Sequence, residues 1–130
     1  MKIVYIAHPI GAETQKEIRI NINKVKKIIR ELNLKNDDVL PFAHYLVDLD
    51  CLNDRKAEER ERGIKNDHQL MRSGFIDELW LYGNRISRGM YHEIIEALRY
   101  GIVIVPKTEK TAIAFQKTLD FLLTKYSSIF

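Results

Sequence analysis

Short apolar runs alternate with amphipathic stretches along this chain, and that alternation restricts the fold more than any other feature. Lys2–Ala7 (KIVYIA) is β-branched and aromatic and is stopped by His8-Pro9 and Gly11, the pattern of a buried strand. Ile18, Ile22, Val25, Ile29 and Leu32 then recur at spacings of 4, 3, 4 and 3 with polar residues between them, which predicts a helix over 14–32. After a polar break at 33–38, Val39–Phe42 reads as a second short strand. The stretch 43–53 gives no clear period and reads as a loop with helical turns. Helix formers fill 54–71, with Gly63 weakening a continuous rod. Asp77–Tyr82 reads as a third strand, 89–100 as a helix, 102–105 as a fourth strand, and Phe115, Leu119, Leu122, Leu123 and Tyr126 mark a final helix.

The order β-α-β-α-β-α-β-α, without repeats or low-complexity linkers, predicts one domain over residues 1–130. Its expected form is an α/β three-layer sandwich with a mainly parallel sheet of four or five strands, covered on both faces. Ligands of such sheets bind beyond the carboxyl ends of the strands, near a topological switch point. That rule directs attention to His8, Pro9, Ile10 and Gly11, to His44, to the 87–93 segment and to Pro106-Lys107.

Charge narrows the partners. Lys and Arg number 21 against 18 Asp and Glu. The densest charged run, Asp54–Arg62, mixes both signs, the mark of a solvated helix face and not of a track for a nucleic acid polymer. Cys51 is the single cysteine, which excludes an internal disulfide. No apolar run approaches the roughly 18 residues of a membrane span, and the first residues lack a secretory pattern, so a cytoplasmic location and no membrane partner are expected. His8, His44, His68 and His92 stand at no recognised ligand spacing, so no metal and no cofactor are expected.

Ser87-Arg88-Gly89-Met90-Tyr91-His92-Glu93 lies where a strand passes into a helix. Free N–H groups and the positive end of the helix dipole favour an anion there. Ser87 suits the N-cap, and Gly89 lets the backbone approach a ligand, although capping alone also explains this serine. Met90, Ile94 and Ala97 line one helix face, with Glu93 on its edge and no basic residue three or four positions away. His92, Glu96 and Arg99 are expected on the solvent side, Glu96 pairing with Arg99 at i,i+3. A partly desolvated Glu93 has a raised pKa, and one placed carboxylate beside a phosphate-sized pocket points to glycosyl chemistry. A rim glutamate paired with a distant lysine is the competing reading. His8 and His44 each follow a strand and are candidates to hydrogen-bond a phosphate or base, or else to pack and cap. No Gly-rich loop with a following Lys and no Gly-x-Ser-x-Gly is present.

Tyr5-Ile6-Ala7-His8-Pro9-Ile10, the Asp77–Tyr82 strand and Ser87-Arg88-Gly89-x-x-x-Glu93 together resemble the nucleoside 2-deoxyribosyltransferase-like superfamily. The likeness is greatest to its small bacterial and phage branch, which carries segments like Glu59–Gly63 and Glu78–Trp80, and it spans roughly residues 1–106. The resemblance implies a flavodoxin-like or Rossmann-like fold and a homodimer or higher homo-oligomer. It also implies cleavage of the N-glycosidic bond of a (deoxy)nucleoside or nucleoside 5′-monophosphate, by transfer or hydrolysis. Glu93 matches the family's nucleophile and Tyr5 the tyrosine that orients it. Ser87 and Gly89 match the positions that bind the 5′-phosphate, and His8 to Gly11 the loop that closes over the sugar and phosphate; Arg88 between them is expected to help hold the phosphate. The acid for the leaving base falls near Asp67-His68-Gln69. Spacing from Asp77 puts Gln69 closest, and Asp67 fits after a shift of register. A non-catalytic nucleotide-binding module and a structural subunit assembled through its last helix remain alternatives.

Overall fold

The computed structural model describes residues 1–35 and 38–126, so residues 36 and 37 of the expected polar break lie outside it. Four strands and five helices follow in the order β1 Lys2–Ala7, α1 Gln15–Lys35, β2 Val39–Phe42, α2 Tyr45–Cys51, α3 Ala57–Arg72, β3 Glu78–Leu81, α4 Arg88–Arg99, β4 Val103–Pro106 and α5 Glu109–Lys125. The strands form one parallel sheet in the order β2-β1-β3-β4. This is the α/β three-layer, flavodoxin-like arrangement, and its switch point lies between β1 and β3.

Strand alternation divides the core. Val4, Ile6 and Trp80 point to the face covered by α1, where Val25 is buried among them. Tyr5, Ala7, Leu79 and Leu81 point to the opposite face, against Met71 of α3 and Met90, Ile94 and Ala97 of α4. The period of two in β1 therefore sends Tyr5, and not Val4 or Ile6, beneath the helix that carries Glu93. Edge-to-face contact with Phe42 at 5.4 Å and a tilted contact with Tyr45 at 6.0 Å hold the Tyr5 ring.

The structure corrects the sequence reading at two places. The 43–53 stretch holds a real helix, α2, seven residues long. It is too short to show a period, and no side chain caps its start. Glu96 is buried, at 7 % exposure, instead of facing solvent, although it does pair with Arg99 at 3.2 Å. Helix α4 packs on the sheet and also against α3, so it buries more than the single face that its apolar period marks. Helix α3 runs through Gly63 without a break, and an added Cβ there would rest 3.7 Å from the Asp48 side chain of α2.

No helix among the described residues is long and apolar enough to cross a membrane.

Candidate active site

The loops that follow β1 and β3 meet at the switch point. Gly83 holds φ at +97°, and a Cβ there would lie 2.6 Å from Pro9 Cδ. Glycine is thus required both by the backbone and by the proline packed on it. Thr108, the N-cap of α5, donates from its hydroxyl to the Gly83 carbonyl at 2.8 Å. Asn21 of α1 donates to the Ile10 carbonyl at 2.9 Å and secures the β1 loop from the other side.

Beside these loops lies a cavity of about 840 Å³, walled by α2, α3 and the start of α4. His8, Ile10, Gly11, Ser87, Arg88 and Gly89 line it, and so do Asp67 and Glu93. Pro9 does not; it supports Gly83 and borders a neighbouring hollow of about 700 Å³ that shares His8, Gly11 and Arg85. His44 does not line the cavity either. Its Nε2 lies 3.4 Å from Oδ1 of Asp48, which does line the cavity, so His44 meets the site through Asp48 and not, as expected, directly.

At one end of the cavity Ser87 caps α4, its Oγ accepting from the Met90 N–H at 3.2 Å in extended backbone geometry. The N–H groups of Arg88 and Gly89, ahead of it in the first turn, remain available to an anion. A Cβ on Gly89 would meet only Ser87 Oγ, at 4.0 Å, so the missing side chain leaves open space there. His8 Nδ1 donates to the Pro9 carbonyl at 2.7 Å, which leaves Nε2 as an acceptor. Burial, helped by the charges of Lys24 and Arg85, holds the His8 pKa below its ordinary value against the pull of that carbonyl.

At the other end stand two carboxyl groups. Burial first, and the charge of Asp67 second, push the Glu93 pKa up to about 8. Burial first, and the charge of Asp48 second, push Asp67 to about 6. Proximity of the Tyr5 hydroxyl pulls both values down and only partly offsets this. Neither carboxyl has an ion-pair partner among the described residues. These values leave one proton on the two groups, on Glu93, between about pH 6 and pH 8. The Tyr5 hydroxyl, fully buried, faces both carboxyls yet closes a well-formed hydrogen bond with neither. Asp67 Oδ1 and Asp48 Oδ2 are likewise buried without a donor. Orphaned polar atoms are costly in a folded protein, and the two on Asp48 and Asp67, both lining the cavity, mark a place prepared for something polar.

Of the two positions that sequence spacing left open for the acid, the helix brings Asp67 to the wall and turns Gln69 to solvent. Two residues amount to more than half a turn, so only one of them can face the cavity. Tyr45 and Asp48 were missed by sequence reasoning. Tyr45 donates to the Ile6 carbonyl at 2.8 Å and lines the wall, and Asp48 stands four residues after His44 on α2. Recognising 45–51 as a helix would have exposed that i,i+4 pairing.

Fold and site together define a flavodoxin-like α/β protein with a coupled carboxyl pair facing an anion-ready helix start. Residues 2–107 match the family described as a domain of unknown function (DUF7768), and the chain belongs to that family. No curated protein and no solved structure matches it.

Proposed function

We propose that this protein cleaves the N-glycosidic bond of a (deoxy)nucleoside, in particular of its 5′-monophosphate, with Glu93 as nucleophile and Asp67 as the acid for the departing base. One observation carries the reading. Two carboxyls with raised pKa values, both close to the buried Tyr5 hydroxyl, line a cavity whose other end is the capped start of α4. The resemblance to nucleoside 2-deoxyribosyltransferase-like proteins agrees with it.

The phosphate binds at the Ser87, Arg88 and Gly89 turn, and the β1 loop from His8 to Gly11 lies along the sugar. Glu93 attacks C1′ as the bond from C1′ to the base nitrogen breaks. The bond electrons leave with the base, which takes a proton from Asp67. Water then attacks C1′ of the glycosyl ester, its proton passes to Asp67, and the Glu93 carboxylate is restored; another base in place of water gives transfer. In the empty site the shared proton rests on Glu93. Positive charge developing at C1′ favours the ionised Glu93 and moves that proton to Asp67. The Tyr5 hydroxyl then gains a charged acceptor that it lacks in the resting site, a gain confined to the reacting state. The resemblance also favours a homodimer or higher homo-oligomer, a proposal supported by Val103 of the edge strand and Ile113, Phe121 and Leu123 of α5, all exposed.

Incubation with a mixed pool of nucleosides and 5′-nucleotides, followed by chromatography for freed bases, tests the reading. At least one base is expected to be released. The kcat/KM of the preferred substrate is expected to follow a bell with limbs near pH 6 and pH 8, because only the singly protonated pair is active. Thermal stabilisation by a nucleotide without any freed base would instead mark a non-catalytic binding module.

A further inference from the structure

We propose that Asp48 selects the base: the site takes nucleotides whose base carries an exocyclic amino group beside the ring nitrogen that Asp67 protonates, as in adenine or cytosine, and rejects the oxo counterparts. The inference rests on the glycosidic reading above and names its substrate class.

Asp48 lies on α2 and lines the same cavity as Asp67 and Glu93. Its Oδ1 is engaged, accepting from Asn66 Nδ2 at 3.2 Å and lying 3.4 Å from His44 Nε2. Its Oδ2 has no donor at all. Asn66 immediately precedes Asp67 on α3, so the hydrogen bond from Asn66 sets Asp48 beside the acid, near enough for its charge to act on Asp67. On the neighbouring helix Asp67 Oδ1, also lining the cavity, is likewise buried without a donor, and the fully buried Tyr5 hydroxyl behind it makes no hydrogen bond, so more than one element leaves polar capacity unmet here. Gly63 adds no side chain over Asp48 Oδ2. The Asp χ2 torsion is broad, so a small rotation presents either oxygen to a ligand.

An acid that protonates a ring nitrogen and a carboxylate that only accepts form a donor–acceptor pair. Its complement is a ring nitrogen with a neighbouring N–H, the arrangement of adenine N7 with its 6-amino group and of cytosine N3 with its 4-amino group. A keto oxygen in the amino position sets lone pairs against the Asp48 carboxylate and leaves its acceptor capacity unmet, which discriminates by repulsion as well as by attraction.

The test uses the full chain bearing Glu93→Gln, which holds substrate without turnover, and titration calorimetry with dAMP against dIMP and dCMP against dUMP. Within each pair the amino member is expected to bind at least about tenfold more tightly. Adding Asp48→Asn is expected to erase or invert that ratio, since the amide turns a donor toward a keto oxygen while its carbonyl keeps the Asn66 bond. Equal binding within both pairs, or a preference that Asp48→Asn leaves intact, overturns the role of Asp48 while the glycosidic site stands. Absence of binding by all four nucleotides overturns the glycosidic reading, and this inference with it.

Discussion

Replacing Glu93 by glutamine is expected to abolish base release while making the protein more stable above neutral pH. The two effects have one origin. Folding raises the Glu93 pKa from 4.5 to about 8, so across that interval the folded chain holds a proton that the unfolded chain has released. The stability this proton confers is complete below pH 4.5 and is lost as pH rises through about 8. Glutamine never ionises. The difference between variant and parent should therefore be near zero at pH 4.5, grow through neutrality and level off above pH 8. It should reach on the order of 2 kcal/mol, allowing for the part of the side chain that meets solvent. For a chain of this size that is a rise of about 5–10 °C in Tm. Loss of a nucleophile should cost turnover at least about a thousandfold. Thermal denaturation at pH 5, 7 and 9 beside a base-release assay reads both effects. A Tm difference that does not change with pH contradicts the burial of the charge, and unchanged turnover removes Glu93 from the mechanism. Opposite signs for stability and activity are expected of a site held at the expense of the fold.

Gly83→Ala carries the second large effect. Alanine at φ +97° is strained wherever it occurs, and at this position its Cβ meets the rigid Pro9 ring at 2.6 Å. The loop cannot retreat without breaking the bond from Thr108 Oγ1 to the Gly83 carbonyl. The cost should be roughly 3 kcal/mol, with nucleotide affinity falling as the β1 loop is pushed aside. Gly74→Ala is the control, since φ there is +83° but an added Cβ meets nothing within 4 Å. It should lose only about 1 kcal/mol and leave nucleotide binding intact. Equal melting temperatures for the two variants would show that the contact between the β1 and β3 loops does not set the geometry of the cavity.

Much of the fold was legible because its strands are bounded by residues that end strands. His8-Pro9 and Gly83 follow short apolar runs and Pro106 closes another, and the observed strands agree with the expected ones to within a residue at either end. Alternation of strand and helix then implies a parallel sheet, and the switch-point rule locates the cavity before any coordinate is known. Glu93 was legible for the same reason: one acid at the edge of an apolar helix face near a strand's carboxyl end has few places to go. The remainder depended on tertiary packing. Whether 67 or 69 faces the cavity turns on the rotation of α3, which spacing from a strand across a loop does not define. Helix α2 is shorter than two apolar periods, so its Tyr45 and Asp48 were hidden inside a segment read as irregular. Glu96 was misplaced because helical period describes one packed face, while α4 is packed on two sides.

The proton shared by Glu93 and Asp67 is the centre of the account, and carbon NMR of protein labelled at its side-chain carboxyl carbons observes it without any substrate. Comparison with Glu93→Gln and Asp67→Asn assigns the two resonances. They are expected to titrate together in two steps with midpoints near pH 6 and pH 8. Independent titration of both groups at the ordinary carboxyl values, near pH 4, would contradict the coupled pair and with it the glycosidic mechanism.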